Sequence, residues 1–228
     1  MALMSEELTF SVMRTGELAE SAWELTSRRK GARAVLGLAG PPGAGKSTLA
    51  QALVEGLRRR HGPLAAAYVP LDGFHLSNAQ LERLGLVSRK GSPPTFDVRG
   101  YAALLRRLVA EGDHDIYVPD FDRTLDEPVA ARHVVRPGTA LVVTEGNYLA
   151  CELPGWSEAR EAMDELWYVE ADREEIRRRL LERQLAAGRT PGEAREWVWA
   201  NDLPNAEVVE ASRDAPWVKR AFHWSGHD

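Results

Sequence analysis

The chain has 228 residues, 29 Lys and Arg against 34 Asp and Glu, and a formal charge of -5. That length fits one α/β domain better than two, and 44% hydrophobic with 28% charged residues supplies both a core and a solvated surface, which excludes disorder over the whole chain. The acidic balance argues against the broad cationic footprint of nucleic-acid binders, although a local basic pocket stays allowed, and the single cysteine, Cys151, excludes a disulfide framework. No uncharged apolar run reaches membrane-spanning length, and Glu6 and Glu7 arrive before any apolar stretch of signal-peptide size, so a soluble, cytoplasmic protein is expected, without nucleic-acid or membrane partners and either monomeric or homodimeric.

Residues 5–30 carry Leu18, Ala22, Trp23 and Leu25 at near-helical spacing and run into Arg28, Arg29 and Lys30, which predicts an N-terminal packing helix. Ala34–Gly40 is a short apolar run closed by a Gly/Pro turn, as a buried parallel strand requires. Further strands are expected at Leu64–Leu71, Ala140–Thr144 and Leu166–Val169, alternating with helices at Ser47–Arg60, Tyr101–Glu111 and Glu174–Ala187. This alternation predicts a mainly parallel sheet covered by helices on both faces, within one domain spanning 1–228. Gly91, Pro93, Pro94 and Gly100 make Ser88–Gly100 a loop, and Val118–Pro128 reads as a second one. Trp217–Trp224 is expected as an edge strand, and Trp197 and Trp199 as core or helix-face packing residues, the alternative being a base-stacking platform.

Gly40-Pro41-Pro42-Gly43-Ala44-Gly45-Lys46-Ser47-Thr48 matches G-x-x-x-x-G-K-[ST] between a predicted strand and a predicted helix. Glycines allow backbone N–H groups to curl around an anion, and the following helix aims its N-terminal dipole at the same point. Lys46 is placed to reach the β- and γ-phosphates, and Ser47 to ligate Mg²⁺. Neither an Asn-Lys-x-Asp guanine-reading motif nor a Leu-Ser-Gly-Gly transporter signature is present, which leaves a kinase or an uncommitted ATPase.

Leu71-Asp72-Gly73-Phe74-His75 places a carboxylate at the carboxyl end of a strand, where open α/β sheets bind ligands. Asp72 is therefore the candidate base for an acceptor hydroxyl, the alternative being a turn cap beside Gly73. His75 is either a substrate contact or a structural histidine.

GPPGAGKST at 40–48, LDGFH at 71–75, RKGSPPTFD at 89–97, YVPDFDR at 117–123, EGNYL at 145–149 and the Arg-rich stretch 173–189 together resemble the uridine kinase, bacterial-type pantothenate kinase and phosphoribulokinase superfamily of P-loop kinases. The likeness is strongest to a bacterial nucleoside/nucleotide kinase-like branch that includes fructose-transport-system kinase-like proteins. It implies a three-layer P-loop sandwich with an Arg-rich lid over 172–190. It also implies that Asp72 activates the acceptor, and that the RKGSPPTFD loop folds over it, Asp97 accepting from substrate hydroxyls and Arg89 or Lys90 near its polar end. Taken alone, Arg89 and Lys90 read equally as solvated charges.

Tyr117, Asp122 and Arg123 could offer stacking, a carboxylate and a fork-shaped donor to one polar ligand, or Asp122 and Arg123 could be a surface pair. Phe121-Asp122-Arg123 departs from the Tyr and His of uridine kinases at the similar place. Glu145 follows a predicted strand, the position of a second acidic group toward Mg²⁺, and Asn147 faces either acceptor or core. In the lid, Arg179 and Arg183, then Arg189, are the expected transition-state and phosphate contacts. Asn205 is read as an adenine contact or a cap. The expected activity is transfer of the γ-phosphoryl of Mg-ATP to a hydroxyl of a nucleoside, sugar or pantothenate-like alcohol. An ATP-hydrolysing regulatory switch is the other reading.

Overall fold

The computed structural model describes residues 12–29 and 31–224. Six parallel strands form the main sheet in the order β1 (Val12–Met13), β8 (Val218–Trp224), β7 (Glu165–Glu170), β2 (Ala34–Ala39), β6 (Leu141–Glu145), β3 (Ala66–Pro70). β2, β6 and β7 are buried along their whole length, which explains why they read as unbroken apolar runs and not as alternating ones.

Alternation along β2 divides the core in two. Ala34, Leu36 and Leu38 pack with Leu18, Ala22 and Leu25 of α1 (Thr15–Arg28) and Leu49, Leu53 and Leu57 of α2 (Lys46–His61). Val35 and Ala39 face the other layer, with Tyr101, Leu105 and Leu108 of α4 (Val98–Ala110), Trp156 of α5 (Trp156–Arg160) and Val209 of α8 (Leu203–Glu210). Truncating a fully buried leucine such as Leu53 removes about 2–5 kcal/mol of stability.

The helix expected over 5–30 is α1, with Met13 in β1 before it; residues 5–11 and Lys30 lie outside the described residues. The strand expected at the sheet edge, β8, is interior, because β1 pairs parallel with its outer side. The larger departure is Val118–Pro128. This stretch is the heart of an antiparallel hairpin, β4 (Ile116–Asp122) and β5 (Glu127–Val135), with a register shift between Val118 and Asp120 that accommodates Pro119, a residue that cannot donate to a ladder. The hairpin packs on the turn after β3. A Cβ on Gly73 would stand 2.4 Å from the Pro119 carbonyl, so only glycine permits that approach.

The loop 88–100 is braced by two single-turn helical segments, Val87–Arg89 and Pro93–Thr95, before α4 begins. After α6 (Arg173–Ala186) come α7 (Pro191–Trp197), opened by a Thr190/Glu193 capping box, and a π-helical turn at Val198–Asp202. Trp199 on that turn is 70% exposed, so it is not a core residue, whereas Trp197 packs beneath the Arg189 guanidinium.

Candidate active site

The phosphate-binding loop joins β2 to α2. Gly45 adopts φ +94° immediately before the helix, a left-handed conformation that turns successive N–H groups inward and is strained for any residue with a Cβ. Gly43 and Gly40 are also at positive φ, Ala44 is buried, Thr48 is exposed on the first turn of α2, and the Trp224 ring lies 3.5 Å from a Cβ position at Gly45. Lys46 is 5% exposed; its Nζ donates to the Pro41 carbonyl at 2.9 Å and to Asn147 Oδ1 at 2.7 Å. Burial, with a lesser push from Arg183, lowers its pKa to about 8 against the pull of Glu145 and Asp72, so it remains cationic at neutral pH.

Glu145 ends β6, the neighbour of β2, and is 3% exposed. Its Oε1 accepts from the Tyr68 hydroxyl at 2.9 Å, and its carboxylate also accepts from the Ser47 hydroxyl. Burial and then the like charge of Asp72 push its pKa up to about 6, opposed by Lys46 and by the two hydroxyl donors. A hydroxyl and a carboxylate touching at the mouth of a phosphate loop are oxygen donors of the kind Mg²⁺ takes alongside phosphate and water, so Ser47 and Glu145 fit that ion.

Asp72 sits in the single-turn helix Leu71–Phe74 at the end of β3. Burial raises its pKa, but His75, Arg183, Arg123 and Lys46 together outweigh that and hold the carboxyl below the usual range. It is therefore ionised and able to accept a proton. Arg123 Nη2 reaches to 3.6 Å from Asp72 Oδ2. His75 turns Nδ1 to the Asp72 carbonyl at 2.8 Å and lies between the rings of Phe96 and Phe121, at 4.1 and 4.9 Å; burial lowers its pKa, so the ring is neutral.

Arg183 of α6 is exposed at the surface yet within electrostatic reach of the same groups: desolvation and the like charge of Arg123 lower its pKa, while Asp72, Asp202 and Glu145 raise it. Arg179 Nη1 donates to the Gly43 carbonyl at 3.0 Å while Nε pairs with Glu175 at 2.7 Å. Lys46, Ser47, Asp72, Arg123, Glu145, Asn147, Arg179 and Arg183 are thus gathered around the loop and the end of β3, with His75 beside Asp72.

Other expected contacts are placed elsewhere. Asp97 is exposed and caps α4, Oδ1 accepting from the Gly100 amide at 2.9 Å. Asp122 accepts from the amides of Thr124 and Leu125 and pairs with Arg132 at 3.1 Å, as a turn residue does. Tyr117 is 62% exposed because strand alternation turns it away from buried Ile116 and Val118. Lys90 binds Asn78 and Asp126, Arg89 is exposed, Arg189 donates to Gln184, and Asn205 donates to Asn201. Asn147 faces Lys46 and not the core.

Three residues near the site were not anticipated. Tyr68 lies inside an apolar strand, four residues before Asp72, with nothing in its local pattern to mark it. Asp120 pairs with His133 Nε2 at 2.8 Å, and the His133 ring stands edge-on to Tyr68 at 5.4 Å, linking the hairpin to Glu145. Asp120 belongs to the quoted YVPDFDR segment, but only the bulge brings it and His133 together.

No family model matches the chain. A Schizosaccharomyces pombe protein provisionally named uridine kinase C227.14 is 34% identical over 206 residues, 88% of this chain and 87% of its own length. Uncharacterized protein YggC of Escherichia coli is 38% identical over 186 residues, 80% and 76% of the two chains. Among solved structures, a Silicibacter sp. TM1040 protein provisionally described as a fructose transport system kinase is 35% identical over 92% of this chain and 99% of its own, with a TM-score of 0.82. YFH7 of Saccharomyces cerevisiae, at 20% identity, covers 94% of this chain and 100% of its own with a TM-score of 0.77, a likeness of fold. With a glycine-rich loop cradling a buried lysine between β2 and α2, and relatives of this identity over most of its length, the chain belongs to the uridine kinase-like family of P-loop kinases and is a phosphotransferase.

Proposed function

We propose that this kinase transfers the γ-phosphoryl group of ATP to a hydroxyl of a small polar metabolite. The observation that carries the reading is Asp72: an ionised carboxylate at a strand end, within electrostatic reach of Lys46, Arg183 and Glu145, with the β4–β5 hairpin packed against its own turn and Arg123 of that hairpin 3.6 Å from it. The names of the relatives, which include pantothenate kinases and a D-glycerate 3-kinase among the fold neighbours, support a small alcohol as acceptor.

In this scheme the backbone amides of Gly43–Thr48 and the Lys46 ammonium hold the nucleotide's phosphates, and Ser47 and Glu145 hold Mg²⁺. When bound, that ion neutralises charge on the phosphate oxygens. Asp72 accepts the proton as the acceptor oxygen bonds to the γ-phosphorus. The bond from that phosphorus to the bridging oxygen breaks, and ADP leaves with the electron pair. Arg179 and Arg183 offset the charge on the transferring group, and α6 with the segment following it acts as the lid over 172–190. Lys46 leaves Pro41 and Asn147 to do its work, and Asn147 is then available to either ligand.

Asp72→Asn tests the scheme: acceptor-dependent ADP release falls by about 10²–10⁴-fold while nucleotide affinity by calorimetry stays within about twofold. Unchanged turnover would remove Asp72 from the mechanism.

A further inference from the structure

The acceptor cleft proposed above also carries information about its occupant, and the inference rests on that reading. Arg123 stands at the tip of the β4–β5 hairpin with its side chain 56% exposed, and the described ion pair it makes is with Asp72, at 3.6 Å. The carboxylates nearer to it in sequence are committed elsewhere. Asp120 is held by His133 at 2.8 Å, Asp122 by two amides and Arg132, Asp126 by Lys90 at 2.7 Å, and Glu127 accepts from the Asn78 amide at 3.0 Å. The hairpin has thus settled its own acids and turned its remaining guanidinium toward the one carboxylate that the chemistry needs unencumbered.

A second guanidinium, Arg183 of α6, lies within electrostatic reach of Asp72 and feels Arg123 as a like charge. The two differ in what supports them. Arg183 comes from α6, whose Arg179 and Ile176 lie against Gly43 of the phosphate loop. Arg123 comes from the hairpin, whose Pro119 lies against Gly73 beside the base. One cation thus belongs to the wall that carries the phosphate loop, and the other to the wall that carries the acceptor.

We propose that the acceptor is an anionic alcohol, a small hydroxylated carboxylate or phosphate ester, whose charge is received by Arg123 while its hydroxyl faces Asp72. A guanidinium binds either anion through two parallel N–H donors, a geometry that also orients the rest of the molecule. Because Arg123 is largely solvated, moving it from Asp72 to a ligand breaks only a long, weak contact. The move has a chemical benefit as well. A cation beside a carboxylate suppresses its affinity for a proton, and an acceptor that engages Arg123 relieves its share of that suppression, His75, Arg183 and Lys46 remaining.

The test uses the full chain, Mg-ATP and acceptors paired by charge: gluconate with sorbitol, ribose phosphate with ribose, glycerol phosphate with glycerol, and uridine monophosphate with uridine. The expected result is that the charged member of at least one pair is used with kcat/KM at least about tenfold above its neutral partner. Gluconate on one side and the phosphate esters on the other tell which anion is meant. Arg123→Gln should raise KM for that acceptor by about 10–100-fold with KM for ATP unchanged, and Arg123→Lys should recover part of the loss. Equal or better use of the neutral partners, or an Arg123→Gln effect of the same size on both members of a pair, overturns the anionic acceptor and leaves the kinase reading standing. ADP release that no acceptor of either charge raises above its basal rate overturns both.

Discussion

The two halves of the cleft are built on different principles. On the nucleotide side, the loop, its lysine and the serine come from one stretch, 40–48, clamped between a buried strand and a buried helix, and Glu145 arrives on the next strand at 3% exposure. On the proposed acceptor side, Asp72, His75, Asp120, Arg123 and His133 come from a turn and a hairpin separated in sequence, and Arg123 remains more than half exposed. The phosphate grip is local in sequence, while the proposed acceptor wall is assembled from long-range contacts and keeps a half-exposed arginine at its rim. Changes confined to the hairpin would alter the proposed acceptor wall without touching the phosphate loop.

That contrast can be broken experimentally at several depths. The deepest cut is Lys46→Met, which removes the buried ammonium shared by both halves; turnover should fall by about 10³-fold with ATP, measured by coupled ADP release. Gly73→Ala comes next. Its Cβ would collide with the Pro119 carbonyl, pushing the hairpin off the base, so stability should drop by about 1–3 kcal/mol in denaturant titration and acceptor KM should rise, while nucleotide affinity holds. Loss of nucleotide affinity to the same degree would mean that the halves are not separable.

Tyr68→Phe sharpens the boundary between them, because Tyr68 carries the contact from His133 to Glu145. Removing one hydrogen bond to a carboxylate should raise the Mg²⁺ concentration needed for half-maximal binding of ADP by about tenfold, read by calorimetry without any acceptor present. An unchanged Mg²⁺ requirement would reduce Tyr68 to packing. The smallest effect is expected of Asp97→Ala. As a helix cap it should lower stability by about 1 kcal/mol and leave acceptor KM alone; a selective rise in acceptor KM would restore the substrate-binding role that resemblance assigns to it.

The same division explains what could be read from the chain beforehand. β2, the phosphate loop and α2 were legible because strand pattern, glycine spacing and helix pattern are contiguous, and the positions of Asp72 and Glu145 were legible because both stand at strand ends. The hairpin was not. Pro119 and a cluster of charges look like loop chemistry, and only the register shift and the antiparallel pairing of Ile116–Asp122 with Glu127–Val135 turn them into strands. His133 gives no local signal at all, since its meaning comes from Asp120 across the bulge and Tyr68 on another sheet. Asp97 and Asp122 illustrate the opposite difficulty: an aspartate near the right place satisfies a helix end or a turn as readily as a substrate hydroxyl.

The place of the Trp224 ring, 3.5 Å from where a Cβ on Gly45 would stand, has a practical corollary. The indole also donates from Nε1 to the Thr15 hydroxyl, so one side chain near the far end of the sequence ties the start of α1 to the turn that grips phosphate. A version of the protein trimmed just before that tryptophan would retain every signature residue and still bind nucleotide poorly, for want of the ring that backs the loop.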